Sequence, residues 1–275
     1  MTSPGRPHLT STRTLSLITA ADPSRCQHLE AASDSVQAAR TALTSIGWTL
    51  EWSVAFDGER CGECLCYADR VAELSKRSGI ATARNIALAR SSGHWVMPFD
   101  SDDLLSPTGL RSILKQLDDW LWKPGWIAAN RLLLDGSRTP HWREGQEDFL
   151  PGDLASNWTS PFPFHPNTVI SRRSLALEVG GWPALPANED LGWVLALSER
   201  ELGRFLPEVV VRYRVWNGQE VASAGYRKHK EAAFLFIEAA INAQRASIGR
   251  GRVSAPEPGP AYGIQPTVTD SNHGR

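Results

Sequence analysis

The sequence predicts an α/β fold on three observations. Short apolar runs of strand length, Leu15–Thr19, Trp52–Phe56 and Trp95–Phe99, alternate with segments whose apolar residues recur at helical spacing. The run Trp95–Phe99 ends abruptly in three carboxylates, Asp100, Asp102 and Asp103. The Leu-Leu-Ser-Pro that follows turns the chain into a helix at Pro107. A strand tipped with acids is also a chemical signal. Carboxylates packed that tightly repel one another, so at least one pKa rises unless a counter-charge is present. A hard divalent cation supplies that charge, and Mg²⁺ or Mn²⁺ takes one or two carboxylates plus substrate phosphates. The C-terminal end of a strand is where open α/β sheets bind ligands. The plain alternative is an acidic turn in which Ser106 or an Asp caps the next helix.

The elements follow in order. Leu15–Thr19 is a first buried strand, and Cys26–Ile46, with Leu29, Val36 and Leu43 in phase, is a helix against the sheet. Trp52–Phe56 is the second strand and ends at Asp57-Gly58, which also reads as a simple turn. Val71–Leu74 is a short third strand, and Gly79–Asn85 leads into a helix that carries Arg84. An Arg near a helix start opposes the dipole and makes sense beside a phosphate or in an ion pair with Asp57. After the acids come a helix, Pro107–Trp120, and a strand, Trp126–Leu134. Arg138–Pro163 reads as polar loop with Trp142 and Trp158. His165–Ile170 reads as a strand and Arg172–Val179 as a short helix ending at Gly180-Gly181. Asn188 suits an N-cap for the helix Leu191–Leu202, with Glu189 and Asp190 favourably placed at the positive end of its dipole. Phe205–Arg214 is a late strand and Gly225–Ile248 a last helix, whose opening Arg227-Lys228-His229-Lys230 reads as a solvated end.

Three stretches resemble, in the same order, the motifs of the family-2 glycosyltransferases of the GT-A fold. "EWSVAFDGE" is similar to that family's second strand with its acidic turn. "ATARNIALARSSGHWVMPFDSDD" is similar to its Ala-Arg-Asn helix followed by an apolar strand and an Asp-x-Asp-Asp motif. "GGW…NEDLGWVLAL" is similar to its Gly-Gly-aromatic turn and Glu-Asp helix start. The resemblance spans roughly Leu15 to Trp216 and implies a Rossmann-like mixed sheet flanked by helices. It implies one domain over 14–248, with a nucleotide-sugar half (14–103) and an acceptor half (104–248). The donor would be a nucleotide-sugar held by Asp57, Arg84, Asp100, Ser101 and Asp102, with Mn²⁺ or Mg²⁺ on Asp102 and Asp100. Asp190 would be the catalytic carboxylate, with Glu189 in support, and Trp182 and His165 would face the acceptor. Two departures stand out. Ala20-Ala21-Asp22-Pro23 lacks the family's aromatic or Asn contact after the first strand, and Trp216 stands where some relatives place a metal-binding His.

Composition narrows the classes further. The 275 residues are 41% hydrophobic, enough for one real core. A net charge of −1 speaks against a nucleic-acid partner. No apolar run reaches the ~20 residues of a membrane span, and the start lacks a signal-peptide core, so the expectation is a cytoplasmic protein with a small-molecule acceptor. Residues 1–13 and 249–275 are Pro-, Gly- or Ser-rich and read as disordered tails. The four cysteines read as free thiols. Cys61, Cys64 and Cys66 are only half of a zinc site, so no zinc is expected there. Two rivals remain: a nucleotidyltransferase, which needs a Gly-rich basic loop where Ala20–Arg25 stands, and a non-catalytic nucleotide-sugar-binding module.

Overall fold

The structure, a computed structural model, describes residues 13–60, 67–216 and 224–256, without the side chains of 224–227. Among the described residues nine strands form one mixed sheet. In chain order they are β1 (Thr14–Ala21), β2 (Thr49–Phe56), β3 (Arg70–Glu73), β4 (Trp95–Pro98), β5 (Leu104–Leu105), β6 (Trp126–Leu133), β7 (Glu147–Phe149), β8 (Ile170–Arg172) and β9 (Gly203–Tyr213). The helices are α1 (Leu29–Thr44), α2 (Ile80–Arg90), α3 (Pro107–Asp119), α4 (Asp153–Ser156), α5 (Arg173–Glu178), α6 (Glu189–Arg200) and α7 (Ala224–Ser247).

The strand order is β3-β2-β1-β4-β8-β6-β9-β5, with β7 pairing β9. Strands β3, β2, β1 and β4 are parallel, whereas β8 joins both β4 and β6 antiparallel. The chain leaves β1 outward to β2 and β3, then returns to β1's other side as β4. This reversal is a topological switch point, which opens a crevice beyond the carboxyl ends of β1 and β4. The runs Leu15–Ile18 and Trp52–Phe56 are buried on both faces because helices cover both faces. One core layer packs α1 and α3 against the sheet, with Leu43, Trp52 and Leu114 among its members. The other packs α2, α6 and α7, with Trp126, Trp193 and Ile237.

Several sequence expectations need correction. The segment from His165 to Ile170 is not a strand. Pro166–Thr168 forms a 3₁₀ turn, because His165 accepts a hydrogen bond from the Asn167 N–H, and β8 begins only at Ile170. The loop Arg138–Pro163 contains β7 and α4. The helix drawn from Cys26 starts as a 3₁₀ turn, Pro23–His28, capped by Asp22, which accepts the Ser24 N–H. Cys26 is disulfide-bonded, which overturns the expectation of free thiols. Cys61, Cys64 and Cys66, with the question of zinc, lie outside the described residues. Residues 249–256, read as a tail, pack against α7. Asn242 brackets Val253 with two hydrogen bonds of 2.8 Å, Ala255 N–H donates to Glu238, and Arg250 reaches the fully buried Glu199. Among the described residues no helix is long and apolar enough to cross a membrane.

Candidate active site

The carboxyl ends of the parallel strands carry the first group of functional side chains. Asp22, past β1, pairs with Arg77 at 2.6 Å, and Asp57, past β2, accepts the backbone N–H groups of Ser78 (2.6 Å) and Gly79 (3.0 Å). Together they clasp the loop that feeds α2. Asp57 is therefore anchored to orphan amides ahead of a helix, the role a carboxylate takes at a positive dipole end. The ion pair with Arg84, the plain alternative to a phosphate role, does not form; Arg84 pairs with Asp100 and Glu189 instead.

The three acids after β4 separate into three environments. Asp103 is fully buried; it accepts the Arg214 N–H at 2.9 Å and the Asn167 side-chain amide at 3.2 Å. Burial, with Asp100 and Asp102 beside it, pushes its carboxyl well above the ordinary range. Asp102 accepts the indole N–H of Trp216 at 2.7 Å, and burial and the Asp100 charge raise it as well. Trp216, the residue in place of the family's His, therefore orients Asp102 by hydrogen bonding, and His28 packs edge-on against it at 4.9 Å. Asp100 accepts from Arg84 at 2.6 Å and from Asn167 at 3.3 Å. Ser101 is half-buried in the turn between Asp100 and Asp102.

Arg84 joins this group to the second one. It sits five residues into α2 and is buried; its other terminal nitrogen meets Glu189 at 2.6 Å, on a residue 105 positions later. Against burial, which pulls a guanidinium down, Asp100 and Glu189 hold Arg84 above its ordinary pKa. Burial pushes Glu189 up to about 7, Asp190 adds to this, and Arg84 pulls it back. Burial also raises Asp190, while Arg84 opposes the shift. Asp190 accepts the Leu191 N–H at 2.7 Å, so it stays oriented at the start of α6. Asn188, expected as an N-cap, occupies that position in a left-handed conformation (φ 55°) and makes no side-chain cap bond. Such a conformation costs about 1 kcal/mol and aims the chain rather than closing the helix.

Asp190 opens onto a cavity of about 140 Å³. His165 lines it, as does Arg131, while Trp158, Phe162 and Phe234 supply an aromatic wall. Burial and the nearby Arg131 hold His165 well below its usual pKa, and Asn167 fixes its ring at 2.7 Å. Trp182 is elsewhere. It is buried and stacks on Trp193 at 4.6 Å, because Asn85 clamps its backbone N–H and C=O at 2.9 and 2.8 Å. Gly181 permits that clamp, since a Cβ there would lie 2.2 Å from the Asn85 oxygen. Trp182 thus belongs to the core and not to an acceptor surface. Lys230, read as part of a solvated helix end, faces the cavity instead. Sequence reading missed Arg131, Asn167 and Lys230. Arg131 and Asn167 are polar residues in or beside apolar elements with no motif to mark them, and Lys230 is hidden in a basic cluster that looks solvated.

The donor chemistry at Asp100 and Asp102 fits a hard divalent ion: two oxygen ligands whose mutual repulsion a cation relieves. Among the described residues no three His, Cys, Asp or Glu gather as a cage. A metal at this pair takes its remaining ligands from phosphate oxygens and water.

Residues 67–176, less than half of the chain, match the family model described as Glycosyl transferase family 2. No curated protein matches. Among solved structures, the fold is similar to S. aureus TarS 1-349 (TM-score 0.58, 17% identity, 73% of this chain and 60% of that one). It is similar also to the same TarS segment in complex with UDP-GlcNAc (0.63, 17%, 82% and 66%). A third likeness is to the mannosyltransferase PcManGT from Pyrobaculum calidifontis in complex with GDP-Man and Mn²⁺ (0.54, 18%, 88% and 65%). The chain spans less than two thirds of each of those chains. The resemblance read from the motifs and the GT-A fold it implied are borne out.

Proposed function

We propose that this chain, a glycosyltransferase by its family-2 segment and GT-A fold, moves a sugar from a nucleotide-diphosphate sugar to an acceptor hydroxyl or amine with inversion. The observation that carries the reading is the Arg84 bridge. One buried guanidinium ties Asp100, at the donor edge of the sheet, to Glu189, whose neighbour Asp190 opens onto the cavity. Donor-side and acceptor-side carboxylates are therefore one hydrogen-bonded unit. In this reading Asp57 and Arg84 belong to the nucleotide-sugar side with Asp100, Ser101 and Asp102, and His165 contributes to the acceptor side. Asp102 and Asp100 would hold Mn²⁺ or Mg²⁺, which would neutralise charge on the leaving diphosphate as a Lewis acid. The Mn²⁺ named with the mannosyltransferase neighbour and the nucleotide-sugars named with both neighbours agree with this.

The acceptor's nucleophilic group does not ionise unaided near neutrality, so its proton must leave as it attacks. Asp190 takes that proton. Its carboxylate is oriented by the Leu191 N–H and by the start of α6, and Arg84 opposes the upward pull of burial on it. Glu189 holds Arg84 in place. The residues at Ala20–Arg25 carry a capped turn in place of a triphosphate-gripping glycine loop, which favours transfer of a sugar over a nucleotidyl group. The test is Asp190→Asn, which keeps size and removes the base. Turnover should fall at least about a hundredfold while diphosphate binding and melting temperature stay near wild type. Near-normal turnover in this variant, with Glu189→Gln inactive, would move the base to Glu189.

A further inference from the structure

Arg131 has no assigned work in this reaction, and its surroundings indicate what it awaits. It lies on β6, 8% exposed, and lines the cavity into which Asp190 opens. Its guanidinium lies 4.0 Å from the ring centroid of Tyr213, which fixes the guanidinium's position and engages it through the ring face. Its Nε and Nη1 are buried and meet no hydrogen-bond acceptor among the described residues. Native structures satisfy nearly all buried polar groups, and an unmet charged donor is costly. A buried charged fork with two unsatisfied nitrogens, on a side chain that lines a cavity, matches a planar or tetrahedral oxyanion.

The rest of the cavity agrees in charge and shape. Among the described residues Asp190 is the one carboxylate in its lining, and it is already turned to the Leu191 N–H. Burial holds both His141 and His165 below their ordinary pKa, so neither adds charge at neutral pH. Lys230 stands on α7 with its ammonium 5.8 Å from the Phe234 ring centroid. Among the described lining residues the cations are thus Arg131 and Lys230 and the carboxylate is Asp190, beside the aromatic Trp158, Phe162 and Phe234. Asp103 and Asp100 act on Arg131 from outside the lining. We propose that the acceptor taken by this cavity bears an oxyanion, a carboxylate or phosphate monoester, that docks on Arg131 with Lys230 in support. Its apolar body lies on the aromatic wall and its nucleophilic group faces Asp190. This rests on the reading of the cavity as the acceptor's.

The experiment reads binding alone, without donor or turnover, so it can fail while the Asp190 assay succeeds, and the reverse. The probes are 4-hydroxybenzoate and phenyl phosphate as anions and 4-hydroxybenzamide as the neutral isostere, titrated calorimetrically into the full chain. Wild type should prefer at least one anion over the amide by roughly tenfold or more. Arg131→Gln should erase that preference, Arg131→Lys should keep part of it, and Lys230→Gln should weaken it by less. UDP and GDP, titrated with Mn²⁺ into the same variants, should bind as to wild type. The relative response to carboxylate and phosphate identifies the acceptor's group. Equal binding of anions and amide, or of none, overturns the proposal. So does a variant that loses UDP or GDP but keeps the anion preference, since Arg131 then serves the donor. If Arg131→Gln does not fold, Arg131→Lys and Lys230→Gln decide, and an unchanged preference in both overturns it.

Discussion

The molecule holds two groups of acids, and they are built differently. At the end of β4, Asp100, Asp102 and Asp103 crowd one turn and are held by different leading donors, Arg84, Trp216 and the Arg214 amide, with Asn167 shared between Asp100 and Asp103. At the start of α6, Glu189 and Asp190 are adjacent in sequence yet divide their work, Glu189 to Arg84 and Asp190 to the cavity. The contrast teaches that sequence proximity among acids does not mean shared function. Burial and partner decide it: Asp103 is fully buried with both oxygens bonded to the protein, whereas Asp190 keeps access to a cavity.

The largest expected effect separates Asp102 from its neighbour. Asp102→Ala should remove Mn²⁺-dependent binding of UDP or GDP while leaving the fold intact, as read by calorimetry and melting. Unchanged metal dependence would sink the assignment of Asp102. Next is Arg84→Met, which strands Asp100 and Glu189 together in a buried site. Breaking a buried pair by removing one partner costs about 3–5 kcal/mol, measurable by urea denaturation. A loss under about 1 kcal/mol would mean that the bridge is not what couples the two groups.

Asp103→Ala should act on stability, not on metal binding. It leaves the Arg214 N–H without its buried acceptor and the Asn167 amide with Asp100 alone, a cost of about 1–3 kcal/mol. The smallest effect is a slope with pH. Glu189 holds its proton to about 7 in the folded chain, against an ordinary value of 4.5. Between these values the native state binds the proton that the unfolded chain releases, so stability should decline as pH rises through the window. The slope is at most about 1.4 kcal/mol per pH unit for one group. Glu189→Gln should flatten that limb, and an identical slope in both proteins would move the titration to another group.

Much of this was legible in the chain. Strand-length apolar runs, the helix starts and the motifs around Asp100, Asp102 and Asp190 are local patterns, set by side-chain periodicity and turn chemistry within a few residues. Local reading failed where a neighbour far along the chain overrode it. Trp182 is expected from its motif to face the acceptor, yet Asn85, 97 positions earlier, holds it in the core. His165 looked like the start of a strand, yet its own ring and Asn167 fold the segment into a turn.

The sequence by itself determined the α/β class, the order of the elements and which residues could carry the chemistry, because burial patterns and motif spacings are written along the chain. Only the tertiary structure decided which acids are partnered, that Arg84 spans 105 positions to join Asp100 and Glu189, and that Arg131 lines a cavity with unmet donors. The physical reason is range. Periodicity and capping act over a turn or two, whereas a pKa, an ion pair or an orphaned hydrogen bond depends on every element that the sheet brings within a few ångströms.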